Sequence, residues 1–149
     1  MSTGVNVFTY GSLMYEAVWT RVVRGQYASS RARLPGFRRL AIRGETYPAV
    51  VPDAGCEVLG RLWFDVAPAD VECLDRFEGS EYRREALLVT PLPVQAPGPV
   101  TAHCYLWLDP ARLLAQPWDE SSFEREHLAG FALRHGAQAA RDDPGPGTP

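Results

Sequence analysis

Glu78 is the carboxylate whose surroundings could most readily alter its proton affinity. Its segment predicts a helix that ends at Phe77-Glu78-Gly79 and a strand that restarts at Tyr82. A carboxylate at a helix C-terminus lies in an unfavourable dipole field, and shielding by Phe77 and the sheet would disfavour its charged form further. Glu78 would then be able to take and return protons. Taken alone, the segment is more typical of a surface glutamate beside a helix-ending glycine.

A second stretch, residues 5–14, changes from strand to helix spacing within a few residues. Its β-branched and aromatic residues predict a strand that ends at Tyr10, and Met14, Val18 and Val22 then recur at helical spacing. The unpaired N–H groups of a first helical turn favour an oxygen that carries negative charge. Gly11 lets a ligand approach the backbone closely. Most such turns bind nothing, so the stretch indicates a candidate site and no particular reaction.

Histidine, cysteine and serine, which carry many metal and nucleophilic sites, give weaker signals. Neither the histidines nor the cysteines have a metal-ligand spacing, and Ser12 lacks the G-x-S-x-G frame of a serine hydrolase. Arg83 or Arg84 could instead hold a substrate carboxylate. All 15 cationic residues are arginine, which excludes lysine-based catalysis. The histidines and cysteines are His103, His127, His135, Cys56, Cys73 and Cys104.

Composition limits the class of protein. The 149 residues suit one domain, and a net charge of −3 gives no case for a nucleic-acid or acidic-membrane surface. No apolar run is long enough to span a membrane, and the first residues lack the regions of a signal peptide. We therefore expect a reduced, cytoplasmic protein that binds neither metal, membrane nor nucleic acid.

The predicted elements describe one domain over residues 1–136 and a disordered tail over residues 137–149. We expect turns at 34–36 and 53–55, an edge segment or an extended lining strand at 47–52, and a Ser121-x-x-Glu124 capping box that opens a last helix ending before Gly136. Because strands dominate and the helices are short, the fold class is α+β with a largely antiparallel sheet that could close into a barrel. The other predicted helices are 14–23 and 68–78, and the other strands are 37–43, 57–66, 82–91 and 100–108.

Four motifs, in this order, resemble the γ-glutamylcyclotransferase-like family. They cover about residues 5–108, and a Trp118…Phe123…Leu128 region is also typical of bacterial members. The resemblance implies a small, mixed, largely antiparallel β-barrel with short flanking helices and a cavity. The motifs are Phe8-Thr9-Tyr10-Gly11-Ser12-Leu13-Met14, Tyr47-Pro48-Ala49-Val50, Gly60-x-Leu62-Trp63 and Leu74-Asp75-x-Phe77-Glu78-Gly79-x-x-Tyr82-x-Arg84.

The resemblance also implies a reaction and its residues. A γ-glutamyl amine would be cyclised to 5-oxoproline with release of the amine, and Glu78 would be the general acid and base. No metal or cofactor is expected. The Ser-Leu pair is more similar to the γ-glutamylamine branch than to the γ-glutamyl-amino-acid branch. The substrate-binding residues implied are Tyr10, Gly11, Ser12, Leu13, Tyr47 and Tyr82.

Two alternatives stay open at this point. One is a non-catalytic small-molecule-binding module on the same fold, because fold alone does not carry function. The other is a cyclotransferase that acts on a γ-glutamyl group attached to a carrier or a biosynthetic intermediate. The sequence identifies neither the leaving amine nor the oligomeric state.

Overall fold

Strands and short helices alternate along the part of the chain that the computed structural model describes, residues 4–94 and 98–131. The strands are β1 (Val5–Thr9), β2 (Ser29–Ile42), β3 (Pro48–Val66), β4 (Tyr82–Pro91), β5 (Val100–Trp107) and β6 (Leu113–Pro117). The α-helices are α1 (Glu16–Val22), α2 (Pro68–Glu78) and α3 (Glu120–Glu126), and residues 128–131 are helical too. Short 3-10 turns lie at Ser12–Met14 and Pro110–Arg112.

The sheet closes into a five-stranded barrel in the order β3-β1-β5-β4-β2, because β2 pairs again with β3. Only β1 and β5 run parallel, and the other pairs are antiparallel. β6 is added outside the ring, along β2. The predicted fold class, a mixed and largely antiparallel barrel with short helices, is confirmed. The sequence analysis did not predict β6.

β2 and β3 form one long hairpin, and this corrects two predicted turns. Residues 34–36 and 53–55 do not end strands, because pairing continues on both sides of them. Pro35 pairs with Glu57 and Phe37 with Pro52, so residues 53–56 of β3 bulge opposite Gly36 alone. Gly36 has φ of +84°, a conformation that glycine adopts without steric cost. The turn-forming residues therefore bend a continuous ladder.

The predicted helix ends are partly right. α2 begins with Pro68 in its first turn and ends at Gly79, as predicted. The predicted helix 14–23 is shorter, since α1 is a separate helix that follows the 3-10 turn. The capping box is wrong, because the Asp119 carboxylate accepts the N–H of Ser122 at 2.9 Å and α3 starts two residues earlier than expected. Glu124 instead accepts the hydroxyl of Tyr15 at 2.8 Å.

Close packing between β1 and β3 fixes the strand that leads to the candidate site. A Cβ on Gly60 would collide with the backbone oxygen of Thr9 and the ring of Phe8, so glycine is required there. The indole N–H of Trp63 donates to the Thr9 hydroxyl at 3.2 Å. The Trp63 ring stacks on Trp19 of α1 with centroids 4.1 Å apart. These contacts hold the C-terminal end of β1 rigidly.

Some predictions concern parts of the chain that are not described. The tail predicted for residues 137–149, Leu133 of the predicted last helix, and the Gly136 predicted to follow that helix lie outside the described residues. Within the described ranges, none of the helices has the length and apolar character needed to cross a bilayer.

Candidate active site

One cavity, with a volume of about 100 Å³, opens beside the end of β1. The turn after β1, the start of β3, the end of α2, the start of β4, β5 and the region after α3 all contribute to its wall. All seven site residues named from the sequence lie in this wall, although they come from distant parts of the chain. The wall consists of Phe8, Thr9, Tyr10, Gly11, Ser12, Leu13, Tyr47, Pro48, Phe77, Glu78, Tyr82, Tyr105 and Phe131.

The turn after β1 leaves a set of backbone donors unused. The carbonyl of Gly11 accepts the N–H of Met14 at 3.0 Å, which closes the 3-10 turn. In the described ranges, the N–H groups of Gly11, Ser12 and Leu13 donate to no protein acceptor. Ser12 and Leu13 are buried, so these donors lie inside the protein surface. Such groups can stabilise an oxygen that carries negative charge.

Glycine is required at position 11 because a side chain would not fit there, and not because the backbone is left-handed. Its φ is −134°, so a larger residue would not be strained by a positive φ there. A Cβ at Gly11 would lie 2.7 Å from Cδ of Pro48. Pro48 is the first residue of β3, and its own carbonyl accepts the hydroxyl of Tyr82 at 2.9 Å. The loop, β3 and β4 therefore fit together only without a side chain at position 11.

Glu78 is the last residue of α2, and its carboxyl group borders the cavity. Burial raises the pKa of Glu78 to about 8, and the nearby Asp75 carboxylate raises it further in the same direction. Burial, which the sequence suggested as shielding by Phe77 and the sheet, is thus the larger cause, and the Asp75 charge is a second cause that the sequence did not indicate. Across residues 4–94 and 98–131, no side chain forms a hydrogen bond or ion pair with the Glu78 carboxylate. A carboxyl group in this state can exchange a proton near neutral pH.

Asp75 lies one helical turn before Glu78 and is fully bonded. Its Oδ1 accepts the hydroxyl of Tyr105 at 2.6 Å and Nε of Arg84 at 2.9 Å. A second Arg84 nitrogen lies 3.3 Å from Oδ2, and a third contacts Nδ1 of His103 at 2.8 Å. Arg84 does not line the cavity, and its guanidinium group is already held from two sides.

The other candidates for charge and metal binding lie away from the cavity. Arg83 pairs with Glu85 at 2.9 Å, and both side chains are exposed. His103 is not in the cavity wall, and its burial together with the Arg84 charge lowers its pKa. Within the described ranges, no cluster of three or more histidine, cysteine or acidic side chains could hold a metal ion.

The tyrosines of the wall are anchored by their hydroxyl groups. The Tyr10 hydroxyl donates to the backbone oxygen of Tyr105, and the Tyr82 hydroxyl donates to Pro48. Burial is the largest cause that raises the pKa of Tyr10, Tyr47 and Tyr82. These phenols therefore stay neutral, and their rings shape the cavity.

Sequence reasoning missed part of the wall. Phe131 packs edge-to-face with both Tyr47 and Phe77, with centroids 6.4 and 6.2 Å apart. Phe77 and Pro48 were parts of quoted motifs, but nothing in the sequence distinguished them from core residues. The alternating pattern of β5 predicts which face of the sheet Tyr105 lies on, but it does not predict which residues lie beside it. Phe131 belongs to the C-terminal part of the chain, and no local sequence pattern predicts that it lies in the wall of this cavity.

Comparison with known proteins agrees with this architecture. Residues 7–125 match the family described as gamma-glutamyl cyclotransferase, AIG2-like. AIG2-like protein D of Arabidopsis thaliana is 33% identical over 129 residues, which are 85% of this chain and 83% of that protein.

Two solved structures share the fold. A crystal structure of an AIG2-like protein from Mus musculus superposes with a TM-score of 0.64 at 26% identity, over 78% of this chain and 86% of that one. A gamma-glutamyl cyclotransferase structure gives a TM-score of 0.64 at 17% identity, over 90% of this chain and 87% of that one, a likeness of fold alone. The match spans most of the barrel and all of the described cavity wall except Phe131, and the chain belongs to the gamma-glutamyl cyclotransferase, AIG2-like family.

Proposed function

We propose that the protein cyclises γ-glutamyl amines to 5-oxoproline and the free amine. In this reaction the substrate's α-amine attacks its own γ-carbonyl carbon, and the bond from that carbon to the leaving nitrogen breaks. Intramolecular attack in a fixed pose can have an effective molarity on the order of 10⁵ M or more, so positioning supplies much of the catalysis. The cavity of about 100 Å³ is where we place the substrate in this folded pose.

The observation that carries the proposal is the unpaired Glu78 carboxyl group with its pKa raised to about 8. The α-ammonium group of the substrate must lose a proton before its nitrogen can attack. Glu78 in its ionised form takes that proton, and the resulting acid returns it to the leaving nitrogen. Because its pKa lies near neutral pH, one group serves in both steps. Attack leaves a second proton on the ring nitrogen, which Glu78, ionised again, takes and passes to the released amine, so that proton and charge balance without a further reactant.

The turn after β1 supplies the second requirement, hydrogen-bond donors for negatively charged oxygen. The substrate carries an α-carboxylate, and the attacked carbonyl oxygen becomes negative as the ring forms. The unused N–H groups of Gly11, Ser12 and Leu13 are assigned to these oxygens. A preorganised donor in a site that excludes water contributes about 3 kcal/mol to transition-state stabilisation.

The charge of the wall favours an amine over an amino acid as the leaving group. Among the described residues of the cavity wall, Glu78 is the only acidic residue, and none is an arginine or a histidine. The carboxylate of a leaving amino acid would lie there without a cationic partner, which is costly once water is excluded. This agrees with the Ser12-Leu13 pair as a feature of the γ-glutamylamine branch.

A substrate panel tests the proposal. Purified protein is incubated with γ-glutamyl amines and γ-glutamyl amino acids, and release of 5-oxoproline is measured by chromatography. We expect release from amines in preference to amino acids, and loss of release in an E78Q preparation purified in the same way. An E72Q preparation is the matched control, because Glu72 lies on the exposed side of the same helix.

Two outcomes contradict the proposal. Binding of γ-glutamyl compounds without any 5-oxoproline release would favour the alternative, a binding module on the same fold. Equal release by the wild-type and E78Q preparations would show that a contaminating enzyme or another residue is responsible.

A further inference from the structure

Arg39 is a partly buried arginine that connects three parts of the molecule. It lies on β2, where its backbone pairs with Val50, and only 18% of its side chain is exposed. Its Nη1 donates to the backbone oxygen of Tyr10 at 2.8 Å. Its Nη2 lies 3.3 Å from Oε1 of Glu120, and its guanidinium carbon lies 5.0 Å from the Trp118 ring centre. Its neighbour Arg38 points outward instead, with 49% of its side chain exposed.

The bond to Tyr10 controls the direction of the first loop donor. The Tyr10 carbonyl and the Gly11 N–H belong to one peptide plane, and among described residues only the Leu92–Pro93 peptide is cis. In a trans peptide the C=O and the N–H point in opposite directions. Because Arg39 holds the carbonyl on one side, the Gly11 N–H must point to the other, and Gly11 itself lines the cavity.

We propose that Arg39 is a positioning residue, which locks the Tyr10–Gly11 peptide so that the Gly11 N–H faces the substrate. Without the guanidinium group, this peptide could rotate and turn its carbonyl oxygen toward the cavity. A carbonyl there would repel the developing negative charge that the donor stabilises. The guanidinium suits this role because its planar fork can bond the loop and Glu120 at the same time.

Trp118 and Glu120 hold the guanidinium from the C-terminal side. Trp118 is itself fixed, since its indole N–H donates to the Thr46 backbone oxygen at 2.8 Å. The same region also contributes Phe131 to the cavity wall. Trp118 and Glu120 therefore reach the loop through the Arg39 guanidinium.

Kinetics of four variants test the role, and this readout rests on the proposed cyclotransferase activity. We expect R39M to lose about 10²-fold in kcat, the effect of removing one oxyanion donor, with a much smaller change in KM. R39K, which can reach Tyr10 but cannot form the fork, should lie between R39M and wild type. R38M should match wild type, and E120Q should lose far less than R39M because the bond to Tyr10 remains.

An amide NMR spectrum of each variant reports on the environment of the Gly11 N–H directly and does not depend on turnover. We expect the Gly11 amide resonance to shift and its hydrogen exchange to change in R39M, and to stay unchanged in R38M. If wild type releases no 5-oxoproline from any substrate, the proposed function fails and the Gly11 amide alone decides the role of Arg39.

Three results would overturn the proposal. They are an unchanged Gly11 amide in R39M, a kcat of R39M within a few-fold of R38M, and an E120Q loss as large as that of R39M. If R39M does not fold, R39K is judged by the same two readouts.

Discussion

Asp75 and Glu78 are two carboxylates three residues apart on the last turns of α2, and their surroundings are opposite. Asp75 accepts hydrogen bonds from Tyr105 of β5 and Arg84 of β4, and so fastens the helix to the barrel. Glu78 borders the cavity with its pKa raised to about 8. At this one helix end, therefore, one carboxylate stabilises the packing of the helix on the barrel, and the other remains available for proton transfer.

The turn after β1 repeats this contrast in its backbone. The carbonyls of Tyr10, Gly11 and Ser12 accept hydrogen bonds from Arg39, Met14 and Tyr15. The N–H groups of Gly11, Ser12 and Leu13 are unused within the described ranges. On both elements, one set of polar groups is satisfied by the protein, whereas the Glu78 carboxyl group and these three N–H groups are not. The unsatisfied set is where we place the substrate.

Among the substitutions that test this contrast, Glu78→Gln should lower the reaction rate the most. The amide keeps the size of the side chain and cannot accept the ammonium proton, so general acid–base catalysis is lost, typically about 10²–10⁴-fold in rate. Initial rates of 5-oxoproline release measure it, with E72Q as the matched exposed variant. Turnover by E78Q close to that of wild type would end the assignment of Glu78.

A methyl group at Gly11 should have the next largest effect. Because the added Cβ would lie 2.7 Å from Cδ of Pro48, G11A must move the loop away from β3. A displacement of about 1 Å at a catalytic group can cost on the order of 10²-fold in rate. S12A should lose far less, since the proposed donors are backbone groups. If kcat/KM of S12A fell as far as that of E78Q, a serine nucleophile would have to be reconsidered.

Stability against pH should separate Glu78 from an ordinary glutamate. An unfolded glutamate has a pKa of about 4.3, whereas folded Glu78 has one of about 8. Between these values the folded state binds more protons than the unfolded state, so the free energy of unfolding falls as pH rises. E78Q should remove this decrease, and its melting temperature should exceed that of wild type at pH 8. D75N should reduce the decrease, because Asp75 raises the pKa of Glu78.

Differential scanning calorimetry from pH 5 to pH 8 measures these melting temperatures. Parallel curves for wild type and E78Q would show that the pKa of Glu78 is not raised in the folded protein. The expected gain in stability on removal of a functional group is common at active sites.

Local pattern predicted much of this molecule, and the failures have a common cause. α2 and β4 were predicted with their observed bounds, because proline, glycine and β-branched residues act within a few positions. The turns at 34–36 and 53–55 were wrong because each set of residues bends a ladder whose partner strand lies elsewhere in the sequence. The capping box was wrong because Asp119, two residues before Ser121, already caps the helix by accepting the N–H of Ser122.

The candidate site shows the same limit. Glu78 and the turn at Gly11 were found from residue type and quoted motifs, and the barrel brings them to one cavity. Sequence pattern did not distinguish Arg39 from its neighbour Arg38, since the burial of Arg39 depends on Trp118 and Glu120 far along the chain. Such contacts depend on how distant strands pair when the barrel closes, and the periodicity of one segment does not predict that pairing.

Replacing Arg84 by Ala should have the smallest effect and tests where the substrate carboxylate binds. The Arg84 guanidinium is bonded to Asp75 and His103 and does not line the cavity, so KM should change by no more than a few-fold. The uncompensated Asp75 charge should raise the pKa of Glu78 further and move the acidic limb of the rate profile to higher pH. A KM increase of about a hundredfold, or roughly 2.7 kcal/mol, would instead place the carboxylate on Arg84 rather than on the backbone of the loop. Rates measured across pH separate these two results, because loss of a carboxylate contact raises KM at every pH, whereas loss of charge compensation acts only around the pKa of Glu78.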